Sequence, residues 1–236
     1  MHLISFLDRL NHPNASMIEK LKRNIYIDWL KKNKLPKNSL ALSVSVGDGI
    51  WDYLAFKNKK NIKKIIATDI VPNPVDPNCI KILKSLGSWE YKKIQAEKPL
   101  PFPKDSFDLI FHQDVIEHVK KPYMFLSQQY KVLKKGGILI CGTPNLFRPA
   151  NILKLLIGKL KFPNKIGHNI EIGDYVHIQE FYEQQLKILF QEIGFQNIEI
   201  LHIYFGFFPL NIIINKLPKN IIGKSMCHFL MFKCNK

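Results

Sequence analysis

The chain has 236 residues, of which 46% are hydrophobic, 11% aromatic and 23% charged, the profile of a globular protein whose core is large enough to fold without metal or disulfide staples. Its most apolar stretch, Ile200 to Ile214, is interrupted by His202, Pro209 and Asn211, which excludes a spanning helix, and Asp8 and Arg9 stand where a secretory leader would be apolar, so a cytoplasmic protein is expected. The net charge of +16 comes from lysines scattered along the chain rather than from a basic tail or a zinc-finger or RNA-binding spacing, so nucleic acid is not the expected partner.

The elements alternate along the chain. Ser16 and Glu19 have capping-box spacing, and Met17, Leu21, Ile25 and Trp29 recur every four residues, which predicts an amphipathic helix ending near Lys34. Leu40 to Val46 reads as a first strand, Gly47-Asp48-Gly49 as a turn and Trp51 to Phe56 as the next helix. A second strand, Ile65 to Asp69, leads through a Pro- and Asn-rich loop to a helix from Cys79 to Leu86 and a third strand from Trp89 to Gln95. After a connection carrying three prolines, strand four covers Phe107 to Phe111 and stops beside His112. A helix from Tyr123 to Leu133, stopped by Gly136-Gly137, precedes a fifth strand from Ile138 to Gly142.

From Leu146 to about Tyr175 the alternation fails, apart from a short basic amphipathic helix expected over Asn151 to Leu160. It resumes with a helix from Glu183 to Ile193 capped by Gly194, a strand from Ile198 to Ile203 and a last strand from Cys227 to Phe232. Strands separated by helices predict an α/β fold: a Rossmann-like, doubly wound, mostly parallel seven-stranded sheet with an N-terminal helix and a lid-like insertion after strand five. One domain is expected, divided into an N-terminal helical cover (1–39), a cofactor-binding half (40–145), the insertion (146–180) and an acceptor-side half (181–236). Cys79, Cys141, Cys227 and Cys234 form no CxxC pair and are expected as buried, reduced thiols.

Two features carry chemistry. A strand running straight into Gly47-x-Gly49 lets backbone approach a ligand with no Cβ in the way. Asp69 ends the next strand roughly 20 residues on, the interval at which a carboxylate accepts both hydroxyls of a bound ribose. Together they imply a nucleoside cofactor. Asp52 occupies the third position of the glycine pattern, where a carboxylate would repel a dinucleotide's phosphates but tolerate a cationic sulfonium.

The succession VSVGDG, ATDI and AEKPLPFPKDSFDLIFHQDVIEHVKKPYMFLSQQYKVLKKGGILICGTPN resembles the class I S-adenosylmethionine-dependent methyltransferases, specifically the small-molecule, methyltransferase type 11-like group. The resemblance implies S-adenosylmethionine as cofactor, with Val46, Gly47 and Gly49 lining it, Asp69 on its ribose, Gln95, Ala96 and Glu97 at its adenine, and His112 and Gln113 beneath it. The chain departs from the family pattern at Ser45, Trp51 and Gln95, which stand where the family carries an acid, a glycine and an acid.

Methyl transfer by in-line displacement needs alignment, and a base where the acceptor must lose a proton. His118, in DVIEHV, and His177, in YVHIQEF, are the candidate catalytic residues; the alternative for His118 is a sheet-edge histidine bound to a loop carbonyl. His168 is a third histidine of the insertion. Asp114, Glu117 and His118 would share one face of a helix and resemble the magnesium cluster of some other methyltransferases, but no metal is expected. The basic, apolar segments Leu146 to Asp174 and Gly206 to Lys224 are expected to set the acceptor, as a lid, a dimer contact or a peripheral membrane contact. The expected acceptor is a small molecule or a cell-surface glycan or lipid-linked precursor. A polyprenyl-quinone precursor, or a non-catalytic nucleotide- or nucleic-acid-binding role, remains as the alternative.

Overall fold

A computed structural model describes residues 5–11, 16–95, 98–162, 176–207 and 212–236. In chain order the elements are α1 (Phe6–Asn11), α2 (Met17–Lys32), β1 (Ser39–Val44), α3 (Ile50–Asn58), β2 (Ile62–Asp69), α4 (Pro77–Leu86) and β3 (Ser88–Lys93). Then follow β4 (Phe107–Gln113), a single 3-10 turn (Ile116–His118), α5 (Pro122–Val132), β5 (Leu133–Pro144) and α6 (Pro149–Leu156). The last part holds α7 (Glu183–Ile193), β6 (Gln196–Ile203), β7 (Phe205–Phe207), β8 (Ile212–Asn215), α8 (Ile221–Ser225) and β9 (Phe229–Asn235).

Seven strands form one sheet in the order β3-β2-β1-β4-β5-β9-β6. β1 to β5 pair in parallel, and β9 runs antiparallel between β5 and β6, so β6 again points the same way as the first five. All six of those C-terminal ends therefore lie along one edge, where ligands of doubly wound sheets bind. β4 is buried along its whole length, as a central parallel strand must be when helices cover both faces. Alternate residues split between two cores: Leu109 and Phe111 pack with α2, α3 and α4, and Ile110 packs with α5 and α7.

α2 lies on the first of these faces. Ser16 caps it by accepting from the Glu19 N–H (3.2 Å), but the expected reciprocal half of the box is absent, because the Glu19 carboxylate turns to Arg9 and Lys22. Tyr26 meets Phe111 and Trp51, and the Trp29 indole N–H donates to Glu199 of β6 (2.7 Å), so the helix spans from the first strands to the far edge.

The structure corrects several expected boundaries. β4 continues through His112 and Gln113, because both remain in register with Cys141 and Gly142 of β5. α5 ends at Val132 and β5 starts at once, so Gly136-Gly137, with Gly136 at φ 74°, fall at an irregularity inside β5 and do not terminate a helix. α6 ends at Leu156 rather than Leu160. β7 and β8 form an antiparallel pair that the sequence pattern does not predict. The insertion begins and ends at one point: the Leu146 N–H donates to the Phe181 carbonyl (2.8 Å) beside an isolated bridge between Asn145 and Phe181. Its stretch 163–175, with His168, lies outside the described residues. All four cysteines are buried and free.

Candidate active site

The turn after β1 is a sequence of backbone turns that side chains resist. Ser45, Gly47 and Gly49 have φ of 57°, 55° and 85°, and Gly49 caps α3 without a side chain. The two glycines differ in what they face. A Cβ at Gly49 would press on Leu83 (3.3 Å) and Val75 (3.4 Å), so this glycine lets α4 approach, whereas a Cβ at Gly47 would meet nothing within 4 Å. Gly47 thus presents bare backbone to open space. Its N–H donates to Asp69 Oδ2 (3.4 Å), and the other carboxylate oxygen accepts from Ile70 N–H (2.8 Å), which fixes the acid at the end of β2 beside the turn. Val46 is buried beneath, its N–H bonded to Thr68 (2.9 Å).

Gln95 is exposed just beyond β3; the preceding Ile94 N–H donates to the Asp69 carbonyl (2.9 Å), which brings this loop alongside the acid. Ala96 and Glu97 lie outside the described residues. Asp52 departs from its expected place at the mouth: its carboxylate is fully buried and accepts from the Trp89 indole (2.7 Å), and burial lifts its pKa to about 7. The Trp51 indole packs edge-on against Tyr26 of α2, with ring centroids 5.3 Å apart.

Residues at the end of β4 point alternately. His112, expected beneath the cofactor, is turned into the packing of α5, edge-on to Phe125. Burial holds its pKa at about 3, so the ring is neutral. Gln113 faces the opposite side, buried, with both amide atoms lacking a hydrogen-bond partner among the described residues. It lies over Gly142, where a Cβ would overlap the Gln113 oxygen and the Phe229 ring. An unmet buried amide at this edge is the kind of group that a polar ligand satisfies.

The next segment holds a cluster of ionisable groups. Asp114 adopts φ 55° and leaves the expected helical trio, since only a 3-10 turn follows; its carboxylate pairs instead with Lys22 (2.5 Å). That lysine is almost wholly buried, also bonds Glu19 (2.9 Å), and sits 4.1 Å over the Phe229 ring. Glu117 is buried, with one oxygen accepting from Thr143 Oγ1 (2.9 Å) and the other unmet; burial, reinforced by Asp114, raises its pKa to about 8.

His118 and His177 come together although 59 positions separate them, their rings edge-to-face at 5.0 Å. His118 Nδ1 bonds the Val176 carbonyl (2.9 Å), the loop-carbonyl contact weighed from sequence, and burial lowers its pKa. His177 Nδ1 bonds Glu180 (2.6 Å). Despite its burial, Glu180 is held below the usual carboxylate range by hydrogen bonds from His177, Arg148 and Asn151. Donor atoms of Glu117, His118 and His177 lie within 4.8 Å of one another. Spacing already sets Glu117 beside His118, but it could not reveal Lys22 or Glu180 as parts of this cluster, because contacts across the fold assemble it.

An open backbone cradle, an acid bonded to it and an ionisable cluster thus lie along one edge of a doubly wound sheet. Residues 42–141 match the family model of the methyltransferase domain, the domain of class I S-adenosylmethionine-dependent methyltransferases, whose methyl donor is S-adenosylmethionine. The ubiquinone biosynthesis O-methyltransferase of Cereibacter sphaeroides is 27% identical over 95 residues, 40% of this chain and 38% of that protein. A probable S-adenosylmethionine-dependent methyltransferase of Mycolicibacterium smegmatis is 27% identical over 109 residues, 45% of this chain and 35% of its own. The chain thus spans well under half the length of these relatives. Among solved structures, a SAM-dependent methyltransferase from Archaeoglobus fulgidus superposes with a TM-score of 0.60 at 17% identity, covering 98% of both chains. One from Thermotoga maritima, described as a possible histamine N-methyltransferase, gives 0.56 at 22% identity, covering 92% and 91%.

Proposed function

We propose that this chain methylates a hydroxyl, amine or carboxylate of a small metabolite or a cell-surface glycan or lipid-linked precursor. The observation that carries the reading is the meeting of His118 and His177 on the sheet edge that also bears the Gly47–Asp69 contact. S-adenosylmethionine, when bound, supplies a carbon already activated for displacement. Val46, Gly47 and Gly49 would hold it through backbone, Asp69 through its ribose, Gln95 with Ala96 and Glu97 at the adenine, and the unmet Gln113 amide from below. His112 has no part in this, because its ring belongs to the α5 core.

His177 is the base. Glu180 accepts its Nδ1–H, which leaves Nε2 to take the acceptor's proton and stabilises the imidazolium that results. His118, neutral and fixed by the Val176 carbonyl, orients the acceptor beside it. No metal is assigned, since the ammonium of Lys22 already supplies a buried cation beside Asp114 and Glu117. Activity is expected to survive exhaustive EDTA dialysis; a loss restored by magnesium overturns that assignment.

Calorimetry with S-adenosylmethionine tests the reading. Saturable binding is expected, weakened about 100-fold in Asp69→Ala through the loss of two charge-assisted hydrogen bonds. No heat of binding in the native chain overturns it in favour of the non-catalytic alternative. A methyl-label screen against cell extract then identifies the acceptor. A second reading, a polyprenyl-quinone precursor, is favoured by the exposed aliphatic side chains of α6 and α8; label recovered on a quinone in an organic extract selects it, and label on any other acceptor selects the first.

A further inference from the structure

The acceptor side of the sheet edge carries an apolar rim that nothing among the described residues covers. Leu155, Leu156 and Ile157 stand exposed at the end of α6, Leu156 at 78%. Ile214 on β8 is 64% exposed, and Ile221 and Ile222 on α8 are 80% and 62% exposed. These elements are continuous: α6 packs against β7, β7 pairs with β8, and Gly223 of α8 lies close to Phe205 of β7. Asn145, at the end of β5, donates to the Ser225 carbonyl (2.8 Å), which anchors the rim to the edge that carries the candidate site.

Charge identifies the occupant. Residues 146–162 and 200–236 contain no acidic residue, while Lys154, Lys159 and Lys161 flank the α6 side chains and Lys216, Lys219 and Lys224 flank those of β8 and α8, all six exposed. A second copy of this chain would bring the same unrelieved positive charge to the contact, which like-charge repulsion opposes. An anionic bilayer satisfies both features, taking the aliphatic tips below its headgroups and the lysines against its phosphates. No helix among the described residues is long and apolar enough to cross a membrane, so the contact lies at the interface.

We propose that the rim formed by α6, β8 and α8 docks this chain on an anionic lipid surface, with the methyl-transfer edge beside the headgroups. Docking does not depend on the methyl-transfer reading, because vesicle binding and donor binding are measured separately.

Co-sedimentation of the full chain with phosphatidylcholine vesicles, with and without phosphatidylglycerol, tests it. Binding is expected only with the anionic lipid and is expected to fall in high salt. Leu156→Asp and Ile221→Asp should each weaken it about tenfold through lost burial, and charge reversal of Lys154 or Lys224 about fivefold each. These side chains are exposed, so melting temperatures should not move, and a variant that melts like the native chain yet binds vesicles equally well overturns the proposal. So does the absence of vesicle binding, equal binding to neutral vesicles, or a concentration-dependent dimer in light scattering that the same variants dissolve.

Discussion

Between Val44 and Asp69 the candidate site is built from backbone: three alternate turn positions with positive φ, one bare glycine facing open space and a single acid bonded to its N–H. Between His118 and Glu180 it is built from side chains that meet only because the chain leaves the sheet at Asn145 and returns at Phe181. The first region depends on local conformation, so its chemistry is written in neighbouring residues. The second depends on long-range packing, so acceptor chemistry can change there without disturbing the donor cradle. Variants that injure one region and spare the other test that separation.

The largest expected effect is on the acceptor side. His177→Ala should lower kcat about 100-fold or more while leaving calorimetric donor binding unchanged. Glu180→Gln keeps the ring but replaces the carboxylate that accepts its Nδ1–H, so kcat should fall about tenfold with donor binding unchanged. If His177→Ala also abolished donor binding, the two regions would be one.

On the donor side the two glycines separate fold from function. Gly49→Val adds bulk against Leu83 and Val75 at φ 85° and should cost about 3 kcal/mol or more of stability, read from urea denaturation. Gly47→Ala has room for its methyl and should cost only about 1–2 kcal/mol for its left-handed backbone, yet place that methyl where the donor would lie. Calorimetry on the folded Gly47→Ala protein should therefore show lost binding. Equal loss of stability in both would mean that Gly47 is structural.

Legibility in the sequence follows the same division. α7 was readable to the residue, because its apolar period ends on Gly194 at φ 108°. The glycine turn and Asp69 were readable because their spacing is the signal. The side to which His112 points was not, since it follows from strand parity, and the strand was read as ending one residue before it. Nor was the β7–β8 pair, whose strands hold only three and four residues. Asp114, Glu117 and His118 suggested a shared helical face, but the positive φ of Asp114 and the short 3-10 turn dismantle that geometry and leave His177 to complete the cluster.

Asp52 offers a pH test that should touch the donor side alone. Its pKa rises on folding from 3.8 to about 7, so over that range the folded chain holds a proton that the unfolded chain has lost. Its contribution is therefore full below pH 4, declines as pH rises and is gone above about 7. Asp52→Asn keeps an oxygen for the Trp89 indole and removes the titration. The difference in unfolding free energy between native and variant chains should shift by about 2–3 kcal/mol between pH 4 and 7, in favour of the variant at the higher pH. A difference independent of pH would show that the carboxyl does not titrate in this range.

Lys22 stands between the two regions, since it rises from α2, pairs with Asp114 after β4 and lies 6.0 Å from the Trp51 ring of α3. Burial alone would lower its pKa, but Asp114 and Glu19 outweigh that and raise it, so the ammonium persists at neutral pH. Lys22→Met retains most of the apolar stem and leaves Asp114 and Glu19 without their shared cation. Asp114 is partly open to water, which screens the loss, so the expected cost is about 1–2 kcal/mol in the denaturation midpoint. Its functional signature should be a coupled one: without the tie, α2 is less firmly held over both halves, and donor affinity and kcat should fall together. A drop in kcat alone would confine Lys22 to the acceptor side, and the link between the halves would then have to run through the sheet itself.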